Sequence, residues 1–318
     1  MSQFTNSTAL ILLGAFGDCV RMCQCLRSFE LDSRVVWFIA RKWFPLRELV
    51  PEVSFVPVTF YSFFFSVIKC FRKFDLVIDA QRLFKSGVLS LCLSRIRLGF
   101  HPLDCKEGNH FFNNCYIGKW QTNESKLRKY EQFFELAGFR KKKIVEHKIS
   151  FNEKKVALSL GGSWDSKKFV FEDIKFLLNL FIQHGASEFF ILGGQDTKLL
   201  AKSAFRYLQQ TSVPVNNLVG QSLEDTISFV RNFDGLGVGG DTGVAHLFSF
   251  FSKPYITLFG PSDYRKHTPS DLDNLRVKSG LYCSPCEKRK CYFGTNLCIR
   301  VAVKNINEVV KNLYSKTP

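Results

Sequence analysis

Methionine is nearly missing. The 318-residue chain has 2 Met beside 34 Phe, so its core volume must be filled largely by Phe rings. Long apolar runs are missing too: no stretch reaches the ~20 apolar residues that a bilayer-spanning helix needs. The apolar run from Ala9 to Phe16 has no basic flank before it and no small-residue cleavage site after it, so it does not read as a signal peptide. Phe60 to Phe71 is apolar and aromatic but too short to span; it reads as a buried helix or one that touches a membrane surface. A cytoplasmic protein, at most peripheral to a membrane, is expected. Acidic residues are few against basic ones, 28 against 44, which leaves a formal charge of +16. That excess is either a solvated Lys-rich surface or the mark of an anionic partner: nucleic acid, acidic membrane or phosphorylated substrate. Helix-turn-helix, RRM and KH signatures are all missing, and the Phe residues stand in apolar runs rather than between basic residues, so no nucleic-acid partner is expected. The turn after the first strand, Gly14-Ala15-Phe16-Gly17-Asp18, falls short of a full G-x-G-x-x-G, which weakens a nicotinamide reading. The chain has no low-complexity tract and no long internal repeat.

Apolar residues make up 46% of the chain, enough for a sizeable core and, at this length, for two domains. Residues 8–14 (TALILLG) read as a buried strand, followed by a glycine turn and an apolar-periodic helix from Val20 to Phe29. Strand and helix then alternate: strands at Val35–Ala40, Leu76–Asp79 and Ile96–Phe100, a helix at Val88–Leu93. The charged stretch 140–148 (RKKKIVEHK) reads as a linker. The alternation restarts with strands at Val156–Leu160, Phe189–Leu192, Leu236–Val238 and Tyr255–Phe259. Helices are expected at 171–184, 198–208, 223–232, 244–251 and 305–314. Two doubly wound α/β domains follow, residues 1–145 and 146–318, with the last helix a candidate to pack back on the first domain. Ligands in such folds bind beyond the carboxyl ends of the strands, where the glycine turns Gly14–Asp18, Gly161–Asp165, Gly193–Asp196, Gly239–Gly243 and Gly260–Asp263 all fall.

Four motifs could carry chemistry. Gly239-Gly240-Asp241-Thr242-Gly243-Val244-Ala245-His246 ends a strand and opens a helix, whose free N–H groups suit a phosphate; it also reads as a capped turn. Asp18 after the first strand is either a helix cap or a carboxylate placed to take a proton. Lys167 and Lys168 after Gly161-Gly162-Ser163 suit an anion, or form a solvated pair. Most of the 11 Cys, such as Cys70 and Cys92, read as small buried hydrophobes in a reducing compartment. Cys283, Cys286, Cys291 and Cys298 are spaced to permit a structural zinc site, or simply pack a loop beside Tyr282 and Tyr292.

In this order the motifs resemble glycosyltransferase family 9. The segments that carry the resemblance are LILLGAFGD (10–18), GGSWDSKKFVFEDI (161–174), ILGGQD (191–196), GDTGVAH (240–246), KPYITLFGPSD (253–263) and CSPCEKRKC (283–291). The resemblance implies two Rossmann-like domains facing each other across a cleft (the GT-B type). It implies inverting transfer of a heptose from ADP-heptose to the lipopolysaccharide inner core, with no cofactor required. Asp18 would be the base. Lys167, Asp196, Asp241, Thr242, Gly243 and His246 would hold the donor, while Arg21, Arg82 and Lys85 are candidates for an anionic acceptor. Two positions depart from the family pattern: Phe169-Val170 replaces an aromatic-Pro pair, and Lys198 competes with Asp196 for the ribose position. A same-fold transferase with another nucleotide sugar, or a UDP-sugar epimerase, is the alternative.

Overall fold

The computed structural model describes residues 7–31, 34–59, 71–122, 124–143, 150–162, 164–268 and 275–315. The expectations for the stretch 60–70 with Cys70, for Ser163 and for linker residues 144–148 lie outside them. The chain divides into two units, Met1–Glu146 and His147–Pro318.

The first unit is built on a parallel six-stranded sheet. Its strands are β1 (Ser7–Ile11), β3 (Arg34–Ala40), β4 (Ser54–Val58), β5 (Leu76–Asp79), β6 (Ile96–Gly99) and β7 (Cys115–Tyr116). Their spatial order is β4-β3-β1-β5-β6-β7, the doubly wound order, with the switch point between β1 and β5. Among the described residues its α-helices are α1 (Phe16–Arg27), α2 (Phe84–Leu93) and α3 (Lys126–Leu136), beside a 3-10 helix at Arg41–Leu49. The fully buried α1 face carries Cys19, Val20, Met22, Cys23 and Leu26. The thiols of Cys19, Cys23 and the equally buried Cys25 stand in for aliphatic side chains, and burial pushes all three well above the usual thiol range. Cys92, expected inside, is only half-buried. A short antiparallel pair, β2 (Phe29–Glu30) with β8 (Arg140–Lys141), takes the first residues of the expected linker into regular structure.

The second unit repeats the plan. Strands β9 (Asn152–Ser159), β10 (Glu188–Gly193), β11 (Val215–Val219), β12 (Gly235–Gly240), β13 (Tyr255–Phe259) and β14 (Arg276–Lys278) lie in the parallel order β11-β10-β9-β12-β13-β14. The same topology is written in two unlike sequences. Helices α4 (Phe171–Gln183), α5 (Lys198–Gln210), α6 (Leu223–Asn232), α7 (Gly243–Phe250), α8 (Tyr264–His267), α9 (Leu297–Lys304) and α10 (Asn307–Tyr314) follow in chain order. On the last helix Val310, Leu313 and Tyr314 pack against the second unit's core, and Tyr314 Oη donates to Glu153 O at 3.0 Å. No helix among the described residues is long and apolar enough to cross a membrane.

Candidate active site

In the first unit the chemistry gathers at the switch point. The backbone ladder between β1 and β5 ends with Ala80 N donating to Ile11 O. Beyond it the amide oxygen of Gln81 takes over, accepting from Leu13 N at 2.7 Å and Gly14 N at 3.1 Å. Gln81 is in turn placed by Asp79, a wholly buried carboxylate that accepts from Gln81 N, Ser86 Oγ and Asn109 Nδ2. Burial pushes the Asp79 carboxyl up, against the pull of these bonds. On the other side Trp37 Nε1 donates to Leu12 O, and Phe16 stacks on Trp43 with centroids 5.2 Å apart. The loop that delivers Asp18 is thus held from both sides.

Asp18 sits in the first turn of α1, while Ala15 occupies the N-cap position and offers no capping side chain. Arg21 Nη1 meets the Asp18 carboxylate at 2.8 Å and Lys126 Nζ at 3.1 Å. Burial holds the Lys126 ammonium below the usual lysine range, and the nearby Asp18 only partly opposes it. A pocket opens beside this triad, lined by Leu12, Gly14, Asp18, Ala80, Gln81, Arg82, Phe100, Trp120, Lys126 and Tyr130. Arg82 adopts a left-handed backbone (φ 68°) and lays its guanidinium 5.2 Å from both the Phe100 and Trp120 ring centroids. The structure therefore brings Asp18, Arg21 and Arg82 together. Arg21 is buried and engaged with Asp18, whereas Lys85 is exposed on the first turn of α2 and does not line the pocket.

In the second unit Lys167 ends a short turn, Asp165–Lys167, after the Gly161-Gly162 bend. Its Nζ donates to Asp241 Oδ2 at 2.8 Å and Asp241 O at 3.2 Å. His246 Nε2 lies 3.6 Å from the other carboxylate oxygen. All three side chains are buried. Asp241 leaves β12 at the second sheet's switch point, beside β9. Gly239 permits that approach: a Cβ there would stand 2.6 Å from Ser159 O and 2.5 Å from Tyr255 Oη. Thr242 is the N-cap residue of α7 without a side-chain cap bond, its hydroxyl buried beside Tyr255, so the first N–H groups from Gly243 onward have no helical partner. A lysine ammonium has three protons, and two of them are engaged by Asp241. The ammonium, which also lies 4.4 Å from the Trp164 ring centroid, and the helix start can together seat an anion. Asp196 is exposed in the turn after β10, and Lys198 is exposed beside it.

The Cys-rich loop braces this seat. Arg289 O accepts from Ser166 N, Lys288 O accepts from Ser166 Oγ, and Asn296 Nδ2 donates to Asp165 O. The zinc site that the four cysteines' spacing permits is not formed: among the described residues no His, Cys, Asp or Glu group is placed to hold a metal ion. Cys298 is buried, its thiol pushed up to about 11 by burial, while Cys283 and Cys286 are exposed to solvent.

Residues 69–296 match glycosyltransferase family 9 (heptosyltransferase). The chain belongs to that family. It is a glycosyltransferase with two doubly wound units, and the epimerase alternative falls away. Lipopolysaccharide heptosyltransferase 1 of Campylobacter coli is 24% identical to the transferase over 84% of this chain and 88% of its own. Among solved structures, the Escherichia coli heptosyltransferase WaaC with ADP is 16% identical, with a TM-score of 0.70, and covers 95% of this chain and 99% of its own. The same protein with ADP-2-deoxy-2-fluoro heptose gives 18% identity and a TM-score of 0.69 over 95% and 99% of the two chains.

Gln81, Lys126, Trp120 and Tyr130 escape the sequence reading. A signal for two of them, Lys126 and Tyr130, was present. Ser125 caps α3 through Arg128 N, and Tyr130, Phe133 and Phe134 recur at helical spacing. A helix at that place would have brought Lys126 to the ligand edge.

Proposed function

We propose that the enzyme transfers a heptose from ADP-heptose to the inner core of lipopolysaccharide, with inversion at the anomeric carbon. The observation that carries this reading is Asp18: a carboxylate at the first switch point, fixed by Arg21 and Lys126, open to a pocket. The acceptor hydroxyl loses its proton to Asp18 as its oxygen bonds to the anomeric carbon. The bond from that carbon to the diphosphate breaks on the opposite face, and ADP departs with the electron pair. Lys167, held by Asp241, and the N–H groups at the start of α7 stabilise the charge that develops on the diphosphate. His246 orients Asp241 from the other side. The names of the relatives support the acceptor, and the bound nucleotides of the solved neighbours support the donor. In this reading the first unit holds the acceptor through Arg82, the second holds the donor, and the enzyme works at the cytoplasmic side of a membrane.

Asp18→Asn tests it. Turnover should fall by a factor on the order of 100 or more, while donor affinity measured by calorimetry stays the same. Near-full turnover in that variant would remove Asp18 as the base.

A further inference from the structure

Three large apolar side chains stand in solvent on the segments that adjoin the Asp18 pocket: Phe84 is 53% exposed, Leu103 73% and Phe111 82%. They are not on loose chain. Lys106 N donates to Arg82 O, Phe84 N donates to Glu107, and Asn109 Nδ2 bridges Asp79 and Leu83 O at 2.7 and 2.9 Å. Phe84 packs edge-on against Phe112, and His110 lies 4.1 Å from the Phe111 ring. A buried polar scaffold thus holds these tips outward, and apolar surface presented so firmly calls for a partner.

The charges around the tips name its sign. Lys85 and Lys106 are exposed. Of the two acids of the same stretch, the half-buried Asp104 accepts from Trp120 N at 2.6 Å, and the exposed Glu107 accepts from Phe84 N at 3.3 Å. Apolar tips interspersed with free ammonium groups fit the boundary between lipid headgroups and acyl chains, where rings and Leu enter and Lys meets phosphate.

We propose that this face, formed by Phe84, Leu103 and Phe111 with Lys85 and Lys106, docks the enzyme on an anionic lipid bilayer. The face is continuous with the catalytic pocket through Arg82, whose backbone oxygen holds Lys106 and whose guanidinium lines the pocket. A glycan anchored in that bilayer would reach Asp18 without leaving its lipid. That last step rests on the function proposed above; the docking itself does not.

The test is co-sedimentation of the full chain, without donor or acceptor, with vesicles of phosphatidylcholine alone or mixed with phosphatidylglycerol. The chain should sediment with the anionic vesicles, and Leu103→Ser/Phe111→Ser should weaken that partition by on the order of ten-fold. The double variant should keep the parent melting temperature. It should also keep the parent rate on a lipid-free acceptor while losing rate on the same glycan embedded in vesicles. Sedimentation that the double variant leaves unchanged, or that ignores phosphatidylglycerol, would overturn the proposal, as would a parent chain that binds neither vesicle. A failed Asp18→Asn test would leave the vesicle result standing and sink only the transferase chemistry.

Discussion

The side-chain oxygen of Gln81 lies 3.1 Å from the backbone nitrogen of Gly14, carrying the β1–β5 pairing two N–H groups past the end of the strands. The loop thus anchored sets where α1 begins and where Asp18 stands. Gln81→Met keeps the shape and removes the acceptor. Leaving those N–H groups unanswered should cost about 1–3 kcal/mol of stability. Displacing Asp18, the proposed base, should lower kcat by on the order of ten-fold or more, with donor affinity intact. Gln81→Glu retains an acceptor oxygen and should keep the loop. Equal kcat in the parent and the Met variant would show that the loop is held by other means.

Lys167 and Asp241 form a buried ion pair, with 11% and 5% of their side chains exposed. Removing one partner strands the other, so Lys167→Met should destabilise the fold by about 3–5 kcal/mol. Lys167→Met/Asp241→Asn should recover most of that loss. It should not recover affinity for ADP, because the ammonium proposed to meet the diphosphate is gone. Chemical denaturation and calorimetry on the three proteins separate the two effects; a double variant that binds ADP like the parent would take Lys167 out of the donor site.

Glu287 carries a pH signature. A hydrogen bond with His267, and then the ion pair with Lys266, hold its carboxyl down at about 2, against an ordinary value of 4.5. An acid depressed in the folded state contributes stability above its unfolded value and loses it as pH falls through the folded one. The melting-temperature gap between the parent and Glu287→Gln should be full above pH 4.5 and close as pH falls towards 2. A gap that stays constant across this range would mean the pair contributes only packing.

The C-terminal thiols should differ in reactivity. Backbone N–H groups, that of Asn296 foremost, draw Cys291 below the usual thiol range, while burial holds Cys298 at about 11. Alkylation at mildly alkaline pH, followed by mass spectrometry, should label Cys291 well before Cys298. The reverse order would mean that the loop opens more readily than its hydrogen bonds imply.

The ligand edge is legible because the chain marks it with glycine. Gly161, Gly193 and Gly239 each fall where a parallel strand must release its chain near a ligand, so Asp241 and Lys167 can be assigned to one end of one sheet. Their pairing across 74 residues is set by register between β9 and β12, which no local pattern encodes. Asp18 is legible for the same reason as Asp241, but its cationic partners are less so. Arg21 follows at helical spacing and reads equally well as a surface residue; Lys126 arrives from 108 residues away on a helix the strand–helix alternation does not demand. The four cysteines mislead because spacing along a chain says nothing of direction: two of the thiols turn to solvent and one into the core.

The repeated sheet has a consequence for how such an enzyme changes over generations. Each unit closes a core of its own: Ala9, Val36 and Val77 meet in one, Val156, Leu236 and Val310 in the other. Substitutions far apart with no shared partner act additively on folding. A lineage can therefore alter the pocket around Arg82 without disturbing the stability of the Lys167 seat, and the reverse. Under the proposed division of donor and acceptor between the units, the sugar that is given and the glycan that receives it are free to drift on separate schedules.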